Sequence, residues 1–258
     1  TRCYRDWSSD VCSSDLIWDR LRNKVPAFPK GEEIAQIELH SLHLRDGLHI
    51  STALLSDAEK ARVAAFRSRD AARLFIAGRL LCRSIIGRMV GCAPQALTIS
   101  LTPHGRPYLP DHADIDFNLS HTTDRVALAV CRGGRVGIDI EQPDRISETE
   151  ALEIMPFILC EQELDDIQRQ PPEQRHRTFL SYWVRKEAVL KCRGRGFLDD
   201  PRGIALEPAD TTENMLNRAF DEANFIRFGS CRSENAPNFL WAVAASQMLS
   251  EPVWQQHP

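Results

Sequence analysis

The segment VGIDIE, residues 136–141, alternates apolar residues with a glycine and two carboxylates. Successive side chains of a β-strand point to opposite faces, so this spacing predicts a strand with one apolar face. Asp139 and Glu141 then share the other face, where Gly137 leaves room beside them. A solvated strand end explains two like charges on one face, and so does a cation that both of them bind.

The composition is that of an ordinary globular chain. Its 258 residues are 43% hydrophobic, which is enough for one large domain or two smaller lobes. The net charge of −4 and the pI near 6.1 argue against a generic nucleic-acid binder. No apolar run approaches the roughly 20 residues that span a membrane, and no signal-peptide pattern is visible. The eight cysteines lack zinc spacing, which favours free thiols and a cytoplasmic enzyme.

The first residues follow a different pattern. Residues 6–16, DWSSDVCSSDL, have no helical or strand period and resemble one reading frame of a common sequencing adapter. We therefore expect residues 1–16 to be a non-native tail without function, and we expect the native start of the gene to be missing. A natural disordered tail is the alternative.

The sequence before VGIDIE has the pattern of a strand, two helices and a β-meander. Residues 34–44 alternate as a strand. Ser56 and Glu59 form a capping-box pattern that opens a helix over residues 54–66. Helical spacing then predicts a longer helix over residues 70–90. Further strands are predicted near residues 97–101, 115–121 and 125–133.

The half after VGIDIE predicts more helix. Residues 147–170 are helical in pattern, with a break expected at Pro156. A strong helix then runs from Glu173 to about Gly194. Strands are predicted near residues 204–207, 224–228 and 238–246, and residues 251–258 are predicted to be a loose tail.

The two halves echo each other faintly. RLFI at Arg73–Ile76 and RTFL at Arg177–Leu180 each open a long helix that is followed by strands. We therefore predict an α+β fold of two similar α/β lobes, residues 17–135 and 136–250, related by a pseudo-twofold axis. The active site is expected in the cleft between them, where ligand sites often form.

A second pair of charged residues has a spacing that matters. Glu187 and Lys191 lie four residues apart, so they share one face of the predicted helix. An exposed ion pair, worth a few tenths of a kcal/mol, is the simpler interpretation. If Glu187 instead meets Asp139 and Glu141, three carboxylates converge and repel one another unless a cation lies between them. Mg²⁺ suits such a site, because it prefers oxygen ligands and shares its coordination shell with substrate phosphates.

Basic residues, a histidine and a serine at a strand end are candidates for binding phosphate. They are Arg67, Arg69, Arg73, Arg106, Ser120, His121 and Lys186. Arginine offers a two-pronged donor to phosphate, although surface solubility explains any single arginine and a structural hydrogen bond explains a lone histidine. The chain has no Walker P-loop and no GxGxxG motif after a strand, so a nucleotide or CoA has to be held in another way.

Four motifs, GRP, FNLSH, VGIDIE and WVRKEAVLK, occur in an order and spacing that resemble the 4′-phosphopantetheinyl transferases. The resemblance is to the larger pseudodimeric branch, typified by the surfactin-synthetase-activating enzyme, and spans residues 34–246. One such motif is weakly specific, whereas four in order are highly specific. The resemblance implies a Mg²⁺-dependent enzyme that transfers the 4′-phosphopantetheine of coenzyme A to a serine of an apo acyl or peptidyl carrier protein. Adenosine 3′,5′-bisphosphate is the implied second product.

The resemblance also implies roles for individual residues. Asp139, Glu141 and Glu187 match the Mg²⁺ ligands, Glu187 also matches the general base, and Lys191 matches a lysine near the CoA pyrophosphate. The positions that match CoA-phosphate contacts are Arg73, Arg106, Ser120, His121 and Lys186. Arg67 and Arg69 fall where the family has further basic residues. The family often has lysine at position 106, so arginine there retains the charge and changes the donor geometry.

Several partners and rival functions follow from this interpretation. The carrier is expected to dock against residues 154–164, whose apolar side chains alternatively cover the core of the second lobe. These apolar residues are Met155, Phe157, Ile158 and Leu159. A Mg²⁺-dependent phosphoanhydride hydrolase acting on CoA or a nucleotide stays open, as does a non-catalytic module that binds CoA or a carrier. The chain is expected to be a monomer with no nucleic-acid or membrane partner.

Overall fold

A computed structural model gives the fold of residues 36–45, 48, 50–194, 199–208, 216–218, 225–233, 236–246 and 253–257. The suspected adapter tail, residues 1–16, lies outside these described residues. Within them the cysteines are free, as predicted. None of the described helices combines the length and the apolar character that crossing a membrane requires.

The first strand and the first α-helix that the structure describes are β1 (Gln36–His43) and α1 (Asp57–Ala64), both in the N-terminal lobe. The predicted capping box is confirmed, since the Ser56 hydroxyl accepts the Glu59 amide and the Glu59 carboxylate accepts the Ser56 amide. The remaining elements of this lobe are helix α2 (Arg69–Val90) and strands β2 (Ser100–Leu101), β3 (Pro107–Tyr108), β4 (Ile115–His121) and β5 (Arg125–Arg132).

The C-terminal lobe repeats this plan with one additional α-helix among the described residues. VGIDIE forms strand β6 (Val136–Glu141), as predicted. The helices that follow are α3 (Glu148–Ile158), α4 (Glu161–Arg169) and α5 (Pro172–Arg193). The remaining strands are β7 (Leu216–Arg218), β8 (Phe225–Ser233), β9 (Ala236–Ala245) and β10 (Val253–His257).

The two lobes share a core of a long helix and three strands, β1-β5-β4 and β6-β9-β8, which confirms the predicted α+β fold of two similar lobes. One sheet has the strand order β10-β1-β5-β4 and the other has the order β6-β9-β8-β7. In each lobe a long helix follows the first strand, and that strand pairs antiparallel with the last strand of a hairpin. Both long helices end at a glycine with positive φ, Gly91 at 73° and Gly194 at 76°, a conformation that favours glycine.

The core has three apolar layers. One lies between α2 and the first sheet, and another lies between α3–α5 and the second sheet. The third lies between the two sheets and contains the apolar face of β6, namely Val136, Ile138 and Ile140. The order of layers is therefore helix, sheet, sheet, helix, and β6 presents its carboxylate face to α5.

Three sequence predictions were wrong. Pro156 does not break its helix, because it lies in the last turn of α3, where the missing N–H affects only the carbonyl of exposed Leu152. Residues 204–207 form no strand but continue irregularly from a 3₁₀ turn at Pro201–Gly203. The expected tail contains β10, which pairs parallel with β1 and so belongs to the first sheet.

The sheets are joined along the edge where β4 meets β6. Asp116, Asn118 and Ser120 alternate along β4, and their side-chain oxygens accept the amides of residues 136, 138 and 140 at 2.8, 3.0 and 3.2 Å. These bonds satisfy the backbone donors that an edge strand would otherwise leave unpaired. The FNLSH motif thereby fixes the register of VGIDIE across the two lobes.

Candidate active site

Gly137 allows α5 to lie directly against β6. A methyl group at Gly137 would stand 2.1 Å from the Ala188 carbonyl oxygen and 2.3 Å from the Cys192 amide nitrogen. Only a residue without a side chain permits this approach of two backbones. The contact brings the face of α5 that carries Glu187 and Lys191 next to the carboxylates of β6.

Asp139 is the point where β4, β6 and α5 meet. It is buried, and its Oδ1 accepts hydrogen bonds from Lys191 Nζ at 2.5 Å and from Ser120 Oγ at 2.8 Å. Lys191 Nζ also donates to Ser120 Oγ at 3.2 Å. Every residue of β6 is buried, so a solvated strand end does not explain its two acids. The exposed-pair interpretation of Glu187 and Lys191 is likewise excluded, because Glu187 is 5% exposed.

Glu141 lies in an environment that disfavours its charge. Burial and the neighbouring carboxylates of Asp139 and Glu187 raise the pKa of Glu141 to about 8, although the charges of Arg145 and Lys191 oppose the shift. Arg145 Nη1 lies 3.9 Å from Glu141 Oε2. Without a further cation, this carboxyl group therefore retains its proton at neutral pH.

The pKa values of two other ionisable groups of the site, Lys191 and His121, shift in opposite directions. Burial alone would lower the pKa of Lys191, but the carboxylates of Asp139, Glu187 and Glu141 together outweigh it. The net pKa of Lys191 is therefore raised, and its ammonium stays charged. Burial and then the charges of Arg145 and Lys191 lower the pKa of His121 to about 4. The imidazole is consequently neutral at physiological pH.

The oxygens of the site fit Mg²⁺ in chemical type. Asp139 Oδ2 and Glu141 Oε2 are buried and accept no hydrogen bond from the described residues. Orphaned buried carboxylate oxygens are expected where a hard cation binds. However, nowhere in the described ranges are three His, Cys, Asp or Glu side chains grouped so that they could hold a metal. In this structure the three carboxylates expected from the sequence are therefore not grouped as metal ligands, and the side chain of Lys191 contacts Asp139. Binding of Mg²⁺ by these residues stays a prediction.

Lys186 does not lie where the sequence predicts. Its ammonium is buried, 2.7 Å from Glu163 Oε2, and donates to the Pro201 carbonyl at 2.8 Å. Lys186 and Glu187 are adjacent in the helix and therefore point in different directions around its axis. The expected contact of Lys186 with a CoA phosphate is corrected to an ion pair inside the C-terminal lobe.

Arg106 and Ser120 also have protein partners. The Arg106 guanidinium is 8% exposed and donates to Asp116 Oδ2 at 2.6 Å and to the Val136 carbonyl at 2.8 Å. The Ser120 hydroxyl donates to Asp139. Both residues form hydrogen bonds to protein groups of the site, and their assignment to CoA phosphates stays a prediction.

The remaining basic candidates lie at the amino-terminal end of α2. Arg67 and Arg69 are exposed there. Arg73 donates to the carbonyl of Arg45 at 3.0 Å, and residue 44 is bonded to the turn that follows His121. Arg73 therefore lies at the same end of the first sheet as His121. Phosphate binding by these arginines stays a prediction.

Two residues at the mouth of the site were missed by the sequence interpretation. Arg145 donates to the His121 carbonyl at 3.2 Å, and Gln142 donates to Asp124 Oδ1 at 2.8 Å. Both follow β6 and reach the other lobe, where Arg145 contacts the last residue of β4 and Gln142 contacts the β4–β5 turn. Their signal in the sequence is only that they come within four residues of Glu141.

The segment expected to receive a carrier is largely part of the core. Met155, Ile158 and Leu159 are buried in the cluster between α3–α5 and the second sheet. Phe157 is 71% exposed, and Leu152 on the same helix is 68% exposed. The core interpretation is therefore confirmed for three of the four apolar residues, and carrier docking at Phe157 stays a prediction.

Comparison with known proteins places this arrangement in a family. A family model described as 4′-phosphopantetheinyl transferase superfamily matches residues 135–244, and one described as 4′-phosphopantetheinyl transferase, N-terminal, matches residues 44–132. These ranges correspond to the two lobes, and the boundary between them falls just before β6.

Individual relatives agree with the family models. The 4′-phosphopantetheinyl transferase HetI of Nostoc sp. is 35% identical over 183 residues, which cover 69% of this chain and 76% of HetI. A 4′-phosphopantetheinyl transferase of Bacillus subtilis is 24% identical over 197 residues, or 72% of this chain and 85% of that protein. The Bacillus subtilis enzyme Sfp is 27% identical over 144 residues, which cover 56% of this chain and 62% of Sfp. The chain belongs to the 4′-phosphopantetheinyl transferase superfamily, in its Sfp-like branch.

Proposed function

We propose that this chain, as a member of the 4′-phosphopantetheinyl transferase superfamily, transfers 4′-phosphopantetheine from coenzyme A to a serine of an apo acyl or peptidyl carrier protein, with Mg²⁺. The serine oxygen forms a bond to the phosphorus that carries pantetheine. The bond from this phosphorus to the bridging oxygen of the pyrophosphate breaks, and adenosine 3′,5′-bisphosphate leaves. A holo-carrier is the other product.

The observation that carries the proposal is the buried group around Asp139. Two carboxylates, a charged ammonium and a neutral imidazole converge where the two lobes meet, and two of the carboxylate oxygens lack hydrogen bonds from the described residues. Structural ion pairs are usually satisfied internally, so orphaned acceptors of this kind favour a ligand-binding role.

The acidic residues and the lysine at this site have proposed roles. Asp139, Glu141 and Glu187 would hold Mg²⁺, which when bound neutralises the charge of the pyrophosphate oxygens. Glu187 accepts the proton of the attacking serine, directly or through a water molecule. Lys191, kept charged by the neighbouring acids, offsets the charge that develops on the leaving phosphate.

Replacing Asp139 tests the proposal. Asp139→Asn keeps an oxygen that can accept from Ser120 and Lys191, so the fold is expected to survive while the charge is lost. Incubation with CoA, Mg²⁺ and an apo carrier should give a carrier heavier by one phosphopantetheine with the wild type. The rate with Asp139→Asn should be at least about 100-fold lower. The exposed Asp165 on α4 gives a matched control, since Asp165→Asn should transfer normally.

The same incubation separates the rival functions. A phosphoanhydride hydrolase would consume CoA without a carrier, and a binding module would bind CoA without any product. Transfer at the wild-type rate by Asp139→Asn would show that the acidic group is not the active site. An unmodified carrier with the wild-type protein would reject the proposed function itself.

A further inference from the structure

Arg106 connects a loop of the N-terminal lobe to the carboxyl-terminal end of α5. Its Nη1 donates to the Lys191 carbonyl, and its Nη2 donates to Asp116 Oδ2 and to the carbonyl of Val136. We propose that Arg106 is a positioning residue that fixes the last turn of α5, and with it Lys191, against β6. This inference rests on the proposed function and replaces the direct CoA contact expected for Arg106.

A charged donor stabilises a helix most at its carboxyl-terminal end. The last four carbonyls of an α-helix have no intrahelical donor, and a cation beside them is favourable. Lys191 lies in the last turn of α5, and Arg106 brings a charged donor to its carbonyl from the other lobe. A Cβ at Gly194, which ends the helix, would stand 3.1 Å from Arg106 Cδ, so the arginine side chain packs closely against this terminus.

Asp116 holds Arg106 in the orientation that this contact needs. The same carboxylate oxygen, Asp116 Oδ2, accepts Arg106 Nη2 at 2.6 Å and the Val136 amide at 2.8 Å. Val136 is the first residue of β6, so one carboxylate sets both the guanidinium and the start of the strand that carries Asp139. The planar guanidinium reaches acceptors from three segments at once, which a lysine ammonium does not reproduce.

Lys191 is thereby held at both ends. Arg106 binds its backbone carbonyl, while its ammonium lies 2.5 Å from Asp139 Oδ1. A shift of the helix terminus moves the ammonium relative to the reacting phosphate, and a displacement of about 1 Å can cost a rate factor of roughly 100. The buried guanidinium has its donors directed at protein acceptors, which favours positioning over a phosphate contact.

The division between kcat and KM tests this assignment. Arg106→Gln and Arg106→Lys are compared with wild type in the carrier-modification assay at varied CoA. Positioning predicts a kcat lower by about 10- to 100-fold, with the KM for CoA changed less than about threefold, in both variants. A KM raised tenfold or more at unchanged kcat would assign Arg106 to CoA, and unchanged kinetics would also overturn the proposal.

A double-mutant cycle asks whether Arg106 acts through Lys191. In a Lys191→Ala background, Arg106→Lys should reduce kcat by less than about threefold, because the side chain that it positions is gone. A full multiplicative loss would overturn the proposal, since a general weakening of the fold acts independently of Lys191. The lysine variant keeps the charge, so the cycle can be completed even if Arg106→Gln does not fold.

Two controls keep the result specific. Arg132 forms an exposed ion pair with Asp114 in the same lobe, and Arg132→Gln should leave kcat and KM unchanged. Wild-type protein is assayed beside every variant. If it does not transfer, the proposed function fails. If it transfers and the Arg106 variants keep their kcat, only the positioning role fails.

Discussion

The two lobes build the same buried ion pair from equivalent positions. In the N-terminal lobe, the third residue of α1, Glu59, accepts from the fifteenth residue of α2, Arg83, at 2.9 Å. In the C-terminal lobe, the third residue of α4, Glu163, lies 2.7 Å from the fifteenth residue of α5, Lys186. Each glutamate also accepts an amide three residues earlier, at the start of its own helix. Lys186 therefore belongs to the shared scaffold, although its motif suggests a ligand contact.

The first strands of the lobes show where the similarity ends. On β1, Glu38 Oε2 lies 3.0 Å from one ring nitrogen of His40, and the other ring nitrogen lies 3.2 Å from His257 of β10. On β6 the edge that does not pair with β9 is bonded by side chains of β4 and by Arg106. The polar side chains of β1 are therefore paired with each other and with β10, whereas Asp139 of β6 is paired with Lys191 of α5.

Removal of either scaffold glutamate is expected to have the largest effect on stability. Glu59→Ala and Glu163→Ala each leave a buried cation without its counter-charge and should lower the free energy of unfolding by about 3–5 kcal/mol. Chemical denaturation measures both losses, with the exposed Asp165→Ala as a control that leaves the midpoint nearly unchanged. A large loss in one lobe alone would contradict the equivalence of the two pairs.

A pair of glycine substitutions compares how the long helices pack. At Gly137 a methyl group collides with the backbone of α5, so Gly137→Ala should lower the free energy of unfolding by about 3 kcal/mol. At Gly78 the nearest atom would be Leu119 Cδ1 at 3.6 Å, an ordinary contact. Gly78→Ala should therefore be neutral or stabilising by up to about 1 kcal/mol, because alanine favours the helix.

Thermal or urea unfolding of the two variants provides the measurement. If Gly137→Ala and Gly78→Ala lower the free energy of unfolding equally, α5 does not approach β6 more closely than α2 approaches its own sheet. A loss of transfer activity that exceeds the loss of folded protein is expected for Gly137→Ala only, since the displaced helix carries Glu187 and Lys191.

A smaller effect is expected from pH in the absence of Mg²⁺. The folded pKa of Glu141, raised to about 8 from its ordinary 4.5, means that the folded protein holds a proton that the unfolded chain releases. Its stabilising effect is complete below pH 4.5 and is lost as pH rises through 8, with a slope of at most about 1.4 kcal/mol per pH unit. His121, whose pKa is lowered to about 4 from 6.5, acts in the opposite sense below pH 6.5.

Between pH 6.5 and 8 the contribution of Glu141 to the pH dependence of stability is therefore separated from that of His121. Unfolding measured across this window should show stability falling with pH in the wild type, whereas Glu141→Gln should give a flatter profile. A wild-type profile that is flat or rises would show that Glu141 is already ionised in the folded protein.

Much of this molecule could be predicted from local patterns. The capping box at Ser56, the two long helices and the strand formed by VGIDIE depend on contacts within a few residues, so their spacing is visible in the sequence. The alternation of VGIDIE also separates its apolar face from its acids, and the order of four motifs indicates the family. These features depend on short-range hydrogen bonds and on periodicity, which the chain carries without its tertiary context.

The tertiary structure decided which partner each charged residue takes. Arg106 meets a carbonyl 85 residues away, Lys186 turns to Glu163, and His40 meets His257 across 217 residues. No local pattern encodes these pairs, because burial forces a charge to find whichever partner packing brings near. The sequence by itself determined which elements form and which residue types could bind phosphate or metal. Packing of the two lobes determined which of these charged residues face the site and which form ion pairs or hydrogen bonds within the fold.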